Sequence, residues 1–311
     1  EQRVLQRIRE ANRGPLPNAC LEAIWRELMS GSFALEAPLK IGYLGPAGSF
    51  SHLAAMKQFG ECVDYEPFES ISNVFHGVES RRTSLALVPI ENSTGGGIHE
   101  TLDCFLQTTA RVCAEVLVPI HHHLLTRCTD ESQIKRIYSR PEVFEQCRKW
   151  LSNHIRSAER VATTSSAGAA KIAATEEGAA SISAEIAAKL YDVPILQQNI
   201  EDNPNNVTRF FVIGHQSSRP SGDDKTAILF TTAHQPGALA AVIDTFRDNE
   251  VNLTHIDKRP SQRTNWEYYF FVDCDGHTDD SNLTRALEAA RPHCLQLTVL
   301  GSFPRAAGVI E

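Results

Sequence analysis

Three segments of this 311-residue chain combine small hydrogen-bonding side chains with glycines or with a single cation. They are GPAGSFS at 45–51, ENSTGGG at 91–97 and NPNNVTRF at 203–210. Consecutive hydroxyls and glycines expose backbone N–H groups that suit a carboxylate, and Arg209 has the geometry to bind a carboxylate bidentately. The hydroxyl of Thr208 can donate one hydrogen bond. Each segment alone is also typical of a turn, a helix cap or a strand start, so both interpretations stay open on the residues alone.

A metal or nucleotide site is not favoured by the remaining motifs. The run HHH at 121–123 lies in a predicted strand, where neighbouring side chains point to opposite faces. Only His121 and His123 would share a face, and two histidines make an incomplete zinc site. No lysine of a phosphate-binding loop follows the glycines of ENSTGGG. We therefore expect neither a metal nor a nucleotide.

Composition excludes several other classes of function. The formal net charge is −8, and no basic face suited to a nucleic-acid partner is visible. No apolar run approaches the ~20 residues that a membrane span needs. The chain starts with the charged, helical EQRVLQRIRE, which is unlike a signal peptide. None of the eight cysteines forms a C-x-x-C pair, so we interpret most of them as small buried apolar residues of a cytoplasmic protein.

The elements that must position the polar segments form an alternating pattern. After a boundary at Pro38, short apolar strands alternate with helical stretches as far as FFVIG at 210–214, which predicts α/β layers. Ligands in such folds bind at loops beyond the carboxyl ends of the strands. These loops are rich in hydroxyls, amides and glycines, and they read GPAGSFS, ENSTGGG, YSRPE, TTSSAG and NPNNVTRF.

A linker, HQSSRPSGDD at 215–224, separates a second unit. Its strands and helices follow the order βαββαβ, a ferredoxin-like split unit that includes a strand predicted over TNWEYYFFVDCDG at 264–276. Two helices can cover one face of such a sheet while the other face seeks a partner. This unit is therefore expected to mediate formation of a homodimer or homotetramer.

Taken together and in this order, the motifs YLGPAGSFS, VPIENSTGGGI, IYSRPEVFEQC and DNPNNVTRFFVIG resemble the prephenate dehydratase family. The C-terminal unit resembles the regulatory ACT domain of that family through PGALAAVIDTF and VNLTHIDKRP. The first residues resemble the end of the chorismate mutase domain of bifunctional members through VLQRIREANRGPLP and IWRELMSGSFALEAPLK. The resemblance covers essentially the whole chain.

The resemblance implies an α/β fold with a two-lobed dehydratase unit like that of periplasmic binding proteins. The implied domains are a helical mutase remnant (1–37), the dehydratase (38–218) and a ferredoxin-like ACT domain (223–311). One dehydratase lobe would comprise about 38–114 with 195–215, and the other about 115–194. The site would lie in the cleft between the lobes.

Members of the family convert prephenate to phenylpyruvate with loss of water and carbon dioxide, a reaction that needs no cofactor. The resemblance assigns Thr208 to the leaving hydroxyl and Arg209 to a substrate carboxylate. The other residues that it assigns to substrate binding are Ser49, Phe50, Ser51, Asn92, Ser93, Thr94, Gly95, Thr163, Ser165, Asn206 and Phe210. Arg140 stands where the family usually has histidine.

The ACT resemblance implies regulation by phenylalanine, bound between paired copies of the domain. The residues assigned to this effector are Gly237, Ala238, Leu239, Asn252, Leu253 and Arg259. The family's Glu-Ser-Arg-Pro element reads Asp257-Lys258-Arg259-Pro260 here. The added length and charge of Lys258 lead us to expect altered inhibition.

Two alternatives remain open on the sequence. The chain could be an arogenate dehydratase, which shares the frame, or a non-catalytic amino-acid-sensing protein, although the intact ENSTGG loop and Thr208-Arg209 favour an enzyme. Chorismate mutase activity is not expected, because the long first helix with its cationic residues is absent and only Glu36 could be a remnant of that site.

Overall fold

Three β-sheets organise the residues that the computed structural model describes, which are 2–36, 39–260 and 268–310. The predicted boundary at Pro38 and the first four residues of the strand predicted from Thr264 lie outside these ranges. The α/β alternation and the βαββαβ order are confirmed within them. No helix in the described ranges has the length and apolar character to cross a bilayer.

Lobe 1 is built on the first sheet, whose strand order is β2-β1-β3-β11-β5 with β4 paired to β3. Its strands are β1 (Lys40–Leu44), β2 (Asp64–Phe68), β3 (Leu85–Asn92), β4 (Gly96–Gly97), β5 (Arg111–Pro119) and β11 (Val207–Gly214). Its helices are α3 (Phe50–Phe59), α4 (Ile71–Glu79) and α5 (His99–Phe105). Strand β1 is parallel to β2 and β3, whereas β11 is antiparallel to β3 and β5.

Lobe 2 is built on the second sheet, with strand order β10-β6-β9-β7-β8. Its strands are β6 (His123–Thr126), β7 (Arg136–Ser139), β8 (Glu159–Ala162), β9 (Ala179–Ser183) and β10 (Ile195–Gln197). Its helices are α6 (Pro141–Gln146), α7 (Arg148–His154), α8 (Ser166–Ala173) and α9 (Glu185–Tyr191), with a 3₁₀ turn at Glu131–Gln133.

The chain crosses between the lobes twice. The strand predicted to contain the HHH run, which the sequence extends over VCAEVLVPIHHHLLT at 112–126, is wrong as a single strand. That segment divides into β5 of lobe 1 and β6 of lobe 2, because the backbone leaves the first sheet after Pro119. The second crossing lies between Gln197 and Val207. Both crossings lie later than the limits 114/115 and 194/195 set from the sequence. The Ile120 N–H donates to the Asn206 carbonyl at 2.8 Å and ties the two crossings together.

The C-terminal domain is a four-stranded antiparallel sheet in the order β13-β14-β12-β15. Its strands are β12 (Asp224–Thr231), β13 (Leu253–Pro260), β14 (Tyr268–Asp275) and β15 (Gln296–Pro304). Its helices are α10 (Ala238–Asp248) and α11 (Ser281–Ala290), followed by a 3₁₀ turn at Arg291–His293. Residues such as Ile228 and Val272 bury one sheet face against these helices.

The other face of this sheet is covered by lobe 1, so the expectation that it lacks a partner is wrong. Leu229, Phe271 and Phe303 share one buried cluster with Phe75 and Phe211 of lobe 1. Each Å² of apolar surface removed from water contributes about 25 cal/mol, so burial of several aromatic rings stabilises this interface strongly. The two domains therefore share a hydrophobic core.

A C-terminal tail returns from β15 to lobe 1. Val309 forms an isolated parallel bridge with Leu117 of β5, and the Ile310 N–H donates to the Leu117 carbonyl at 2.9 Å. The Lys57 ammonium of α3 donates to the Ile310 carbonyl at 3.3 Å. The C-terminal domain is thus attached to lobe 1 at both of its ends.

The described chain starts with two helices. Helices α1 (Gln2–Ala11) and α2 (Asn18–Glu36) form a hairpin, in which Arg9 pairs with Glu22.

All eight cysteines are free, but only Cys147 and Cys274 are buried. The expectation that most cysteines are buried is therefore wrong.

Candidate active site

Three of the polar segments meet at one edge of the first sheet. Parallel strands β1 and β3 both end there, at Leu44 and Asn92, and the antiparallel strand β11 begins there. Thr208 lies directly opposite Asn92 in the β3–β11 ladder. The sheet therefore holds GPAGSFS, ENSTGGG and the start of VTRF side by side, as the sequence predicts for an α/β fold.

An amide–hydroxyl cluster joins the ENSTGG loop to β11. The side-chain amide of Asn92 donates to the Thr208 Oγ1 at 2.9 Å and to the Asn206 Oδ1 at 2.8 Å. The Asn92 Oδ1 accepts from the Thr94 hydroxyl at 2.6 Å and from the Gly95 N–H at 2.9 Å. These contacts fix which end of the Asn92 amide faces Thr208. Because the Thr208 oxygen accepts from Asn92, its own O–H is left to donate to another group.

Ser93 and Asn206 hold the backbone of this cluster in place. The Val207 N–H donates to the Ser93 Oγ at 2.9 Å, and the Ser93 N–H donates to the Val207 carbonyl at 2.9 Å. Asn206 is 2% exposed and Thr208 9%, so both lie at the border of the core. The hydroxyl of Ser93 therefore serves the loop itself, while that of Thr208 faces the edge of the sheet.

Arg209 lies on the opposite face of β11 from Thr208. Its Nε donates to the Glu115 Oε2 of β5 at 2.8 Å, and its Nη1 pairs with the Asp273 Oδ2 of the C-terminal domain. The Lys225 ammonium lies 3.0 Å from the Glu115 Oε1. The guanidinium is 4.7 Å from the ring centroid of Phe211. The structure therefore does not bring Arg209 together with Thr208 at the sheet edge; alternation along the strand separates them.

Charge neutralisation explains how these carboxylates and cations stay buried. Burial alone would raise the pKa of Glu115, but Arg209, the Ala306 N–H and Lys225 outweigh it and hold the pKa below its ordinary value. Burial alone would lower the pKa of Arg209, but Asp273 and Glu115 raise it. Glu115 and Arg209 are therefore both charged at neutral pH.

The GPAGSFS loop closes one side of the cleft. The Ser49 Oγ accepts from the His52 N–H at 3.2 Å and caps α3, so this hydroxyl serves the helix. His52 stacks on Tyr43 with ring centroids 4.6 Å apart, and burial lowers its pKa. The Phe50 ring contacts His122 edge-on at 5.4 Å, and Ser51 is buried at the first turn of α3.

The same loop touches lobe 2 directly. Gly48 has φ +85°, and a Cβ there would lie 3.3 Å from the Tyr191 ring and 3.4 Å from the Ala167 Cβ. The Tyr191 hydroxyl donates to the Ala47 carbonyl at 3.0 Å. A side chain at position 48 would meet both a left-handed backbone and lobe 2, so the close approach of the lobes depends on glycine.

In lobe 2, both predicted hydroxyls serve the local backbone. The Ser165 Oγ accepts from the Gly168 N–H at 3.0 Å and caps α8. The Thr163 hydroxyl donates to the Ser165 carbonyl at 3.0 Å. Arg140 is the residue before α6, is exposed, and has its Nη2 3.3 Å from the Glu142 Oε1. Phe210 is 1% exposed and packs in the core of lobe 1.

The three consecutive histidines lie at the first crossing. The His121 Nδ1 is 2.7 Å from the buried Glu201 Oε1, and the His122 Nε2 is 2.7 Å from the Gln146 Oε1. Burial lowers the pKa of His122 and of His123. No cluster of three or more potential metal ligands occurs in the described part of the chain. The sequence missed Glu201 as the partner of His121, because it lies 80 residues away along the chain.

The residues assigned to an effector divide into separate groups. A cavity of about 150 Å³ beside the start of α10 is lined by Ala238 and Leu239 and, unforeseen from the sequence, by Thr232, Ala233, His234, Gln235, Tyr268 and Phe270. Gly237 is the residue before α10, with φ +81°. Asn252 and Leu253 follow the opposite end of α10, and Arg259 pairs with Asp103 of lobe 1. A single chain does not gather all six residues.

Comparison with known proteins agrees with this organisation. Residues 41–218 match the model of the family "Prephenate dehydratase", and residues 226–292 match the model of the "ACT domain". The chain is 44% identical to a bifunctional chorismate mutase/prephenate dehydratase of Stutzerimonas stutzeri over 97% of this chain and 83% of that protein.

Two solved structures resemble the whole arrangement. The prephenate dehydratase of Arthrobacter aurescens in complex with L-Phe superposes with a TM-score of 0.80 at 31% identity, covering 88% of this chain and 93% of that one. The enzyme of Staphylococcus aureus superposes with a TM-score of 0.71 at 28% identity, covering 85% and 100%. This chain therefore belongs to the prephenate dehydratase family and carries an ACT domain at its C-terminal end.

Proposed function

We propose that this prephenate dehydratase uses the Thr208 hydroxyl as the hydrogen-bond donor to the departing ring oxygen of prephenate. The observation that carries the proposal is the Asn92 amide donating to the Thr208 Oγ1 at 2.9 Å. Since that oxygen already accepts a hydrogen bond, its proton is free to point towards substrate. In the reaction the ring C–O bond breaks as the leaving oxygen takes up a proton from solvent and departs as water. The C–C bond between the ring and its carboxylate breaks to release carbon dioxide, and the electron pair of that bond completes the aromatic ring.

Threonine is a weak acid, so the proposal gives Thr208 a hydrogen bond that strengthens as charge develops on the leaving oxygen. A donor aimed at the position where charge develops stabilises the transition state more than the ground state. Asn92 positions this donor, and Asn206 and Thr94 fix Asn92. The rate of the reaction would thus depend on one cluster of uncharged groups.

Two helix starts support binding of the dianionic substrate without Arg209. Helix α3 begins at Phe50 beyond β1, and α8 begins at Ser166 beyond β8. The first N–H groups of a helix lack partners within the helix and carry the positive end of its dipole, which favours a carboxylate. We assign substrate carboxylates to these starts, with Ser51 and the ENSTGG loop beside them, and we assign Arg209 to the opposite face of the sheet.

Regulation by phenylalanine is proposed for the cavity beside α10. Its aromatic wall, Tyr268 and Phe270, suits an aromatic ring, and the structure of the Arthrobacter aurescens relative was determined with L-Phe. Helix α10 has 11 residues and is about 16 Å long at 1.5 Å per residue, and Asn252 follows its far end. A second copy of the chain could bring its Asn252 beside this cavity. We therefore propose a homodimer or homotetramer with effector sites between C-terminal domains, in a cytoplasmic enzyme.

The test is an assay of the purified chain with prephenate, with phenylpyruvate read by its absorbance in alkali. We expect turnover that phenylalanine lowers, and a smaller kcat/KM with arogenate. A folded chain that binds phenylalanine but makes no phenylpyruvate would contradict the proposal and favour a sensor. A larger kcat/KM with arogenate would reassign the substrate while leaving the site in place.

A further inference from the structure

Each of the two central site residues has a chain neighbour that faces the C-terminal domain. Asn92 and Thr208 form the amide–hydroxyl pair. Glu91 precedes Asn92 in β3, and Arg209 follows Thr208 in β11. Glu91 and Arg209 lie opposite each other in the β3–β11 ladder. Since alternate residues of a strand point to opposite faces, one pair serves the substrate side and the other is free to contact a second domain.

Both outward neighbours pair with the C-terminal sheet. Arg209 pairs with Asp273 of β14, and the His255 Nδ1 of β13 is 3.5 Å from the Glu91 Oε2. His255 and Asp273 themselves lie opposite each other in the β13–β14 ladder. Two adjacent strands of one domain thus contact two adjacent strands of the other. A further ion pair lies on the same interface, with the Arg259 Nη2 of β13 2.6 Å from the Asp103 Oδ2 of α5.

The contact around Arg209 is buried. Its side chain is 10% exposed, that of Asp273 6% and that of Glu115 1%. With Lys225 these groups form a set of two cations and two carboxylates, so removal of one member leaves an uncompensated charge in the interior. Water therefore cannot replace Asp273 as a partner of Arg209 if Asp273 moves. Arg209 must then move with Asp273, or the ion pair breaks.

The effector cavity lies on the same strand as Asp273. Tyr268 and Phe270 line the cavity, and Asp273 follows three residues after Phe270 on β14, about 10 Å away at ~3.4 Å per residue. Phe270 faces the cavity side, whereas Phe271 packs into the core shared with lobe 1. Strand β14 therefore connects the cavity wall to the partner of Arg209.

We propose that Arg209 and Glu91 are positioning residues through which the C-terminal domain sets the placement of Thr208 and Asn92. The inference rests on the proposed function, since it concerns the efficiency of that reaction. It assigns Arg209 a partner in the regulatory domain and no contact with substrate. Inhibition then corresponds to a shift of β14 that moves β11 by way of the Asp273–Arg209 pair.

The test compares Asp273→Asn with Asp223→Asn in the full chain. Asp223 is the control, because it is also a carboxylate of the C-terminal domain that pairs with an arginine, Arg305 at 2.8 Å, but its side chain is 74% exposed. For Asp273→Asn we expect kcat to fall about tenfold with KM for prephenate within about twofold. We also expect phenylalanine to bind with a Kd within about twofold of the parent chain while its inhibition is largely lost. Asp223→Asn is expected to retain the parent kcat and the inhibition by phenylalanine.

Three results would overturn the proposal in an active parent chain. They are parent-like kcat and inhibition in Asp273→Asn, equal losses in both variants, and loss of phenylalanine binding in Asp273→Asn, which would place Asp273 in the effector site. An inactive parent chain would instead contradict the proposed function itself.

If Asp273→Asn does not fold, Glu91→Gln supplies the same comparison at a position whose side chain is 35% exposed. A separation of inhibition from phenylalanine binding in Glu91→Gln would support the inference. Parent-like inhibition in that variant would overturn it.

Discussion

The adjacent strands β3 and β11 present two faces, and these faces differ in chemistry at the end where Asn92 and Thr208 lie. One face carries the uncharged Asn92–Thr208 pair, with a hydroxyl proton left to donate. The other carries Arg209, which is charged, buried and ion-paired with Glu115 of β5 and Asp273 of β14. A hydroxyl that donates a hydrogen bond to substrate must be held in place without donating its proton to the protein, whereas a buried charged group needs a partner of opposite charge. The first face is therefore expected to govern rate and the second to govern stability and communication.

Replacement of Thr208 is the strongest test of this division. Thr208→Ala should lower kcat about 1,000-fold with a modest change in KM, because the lost hydrogen bond is used mainly in the transition state. The free energy of unfolding, measured in urea, should remain within about 1 kcal/mol of that of the parent chain. Thr208→Ser, which keeps the hydroxyl, should recover most of kcat. A KM effect larger than the kcat effect would contradict the assigned role.

Replacement of Glu115 addresses the charged face. Glu115→Gln should reduce the free energy of unfolding at pH 7 by about 3 kcal/mol, because it leaves the two buried cations Arg209 and Lys225 with a single carboxylate, Asp273. The folded-state pKa of Glu115 lies below its ordinary 4.5, so its stabilisation is present above that value and is lost as the pH falls through the folded-state pKa. The difference between parent and variant should therefore shrink on acidification below about pH 4. A difference that stays constant with pH in urea titrations would contradict this account.

Asn92 tests whether the uncharged face acts as a unit. Asn92→Ala should lower kcat about 100-fold, because Thr208 loses the donor that orients it. Asn203→Ala is the matched control, since this exposed asparagine accepts only from the Asn205 N–H in the turn before β11. We expect kcat of the control within about threefold of the parent. Equal losses in both variants would show that the turn matters and the amide does not.

The smallest effect is expected for the hydroxyls that cap helices. Ser165→Ala should lower the free energy of unfolding by about 1 kcal/mol, as loss of a cap usually does, with kcat within about twofold of the parent. Ser70→Ala is its counterpart, because Ser70 caps α4 through the Asn73 N–H at 3.2 Å. A tenfold loss of kcat/KM in Ser165→Ala alone would place that hydroxyl on the substrate.

Much of the fold and the position of the site could be predicted from the sequence. The alternating pattern, the linker and the βαββαβ order follow from local periodicity, and the loops fall at strand ends because strand length is readable. Thr208 opposite Asn92 was within reach, since both lie in motifs at strand ends.

The orientation of side chains across domains was not predictable in the same way. The sequence shows that Thr208 and Arg209 face opposite sides of a strand, but it does not show which side meets the cleft. That depends on packing between segments far apart in the chain. A signal was nevertheless present: Glu115 and Asp273 are single carboxylates inside the apolar runs VCAEVLVP and YYFFVDC. Such residues are rarely buried unless they are paired.

The tail that crosses strand β5 has a further consequence for behaviour at high concentration. Strand β5 is the outermost strand of the first sheet, and an open edge offers unpaired N–H and C=O groups to the strands of other molecules. Val309 and Ile310 occupy part of that edge at Leu117. The segment therefore covers part of the edge that a strand of another molecule would need for edge-to-edge pairing, and in this way it opposes aggregation.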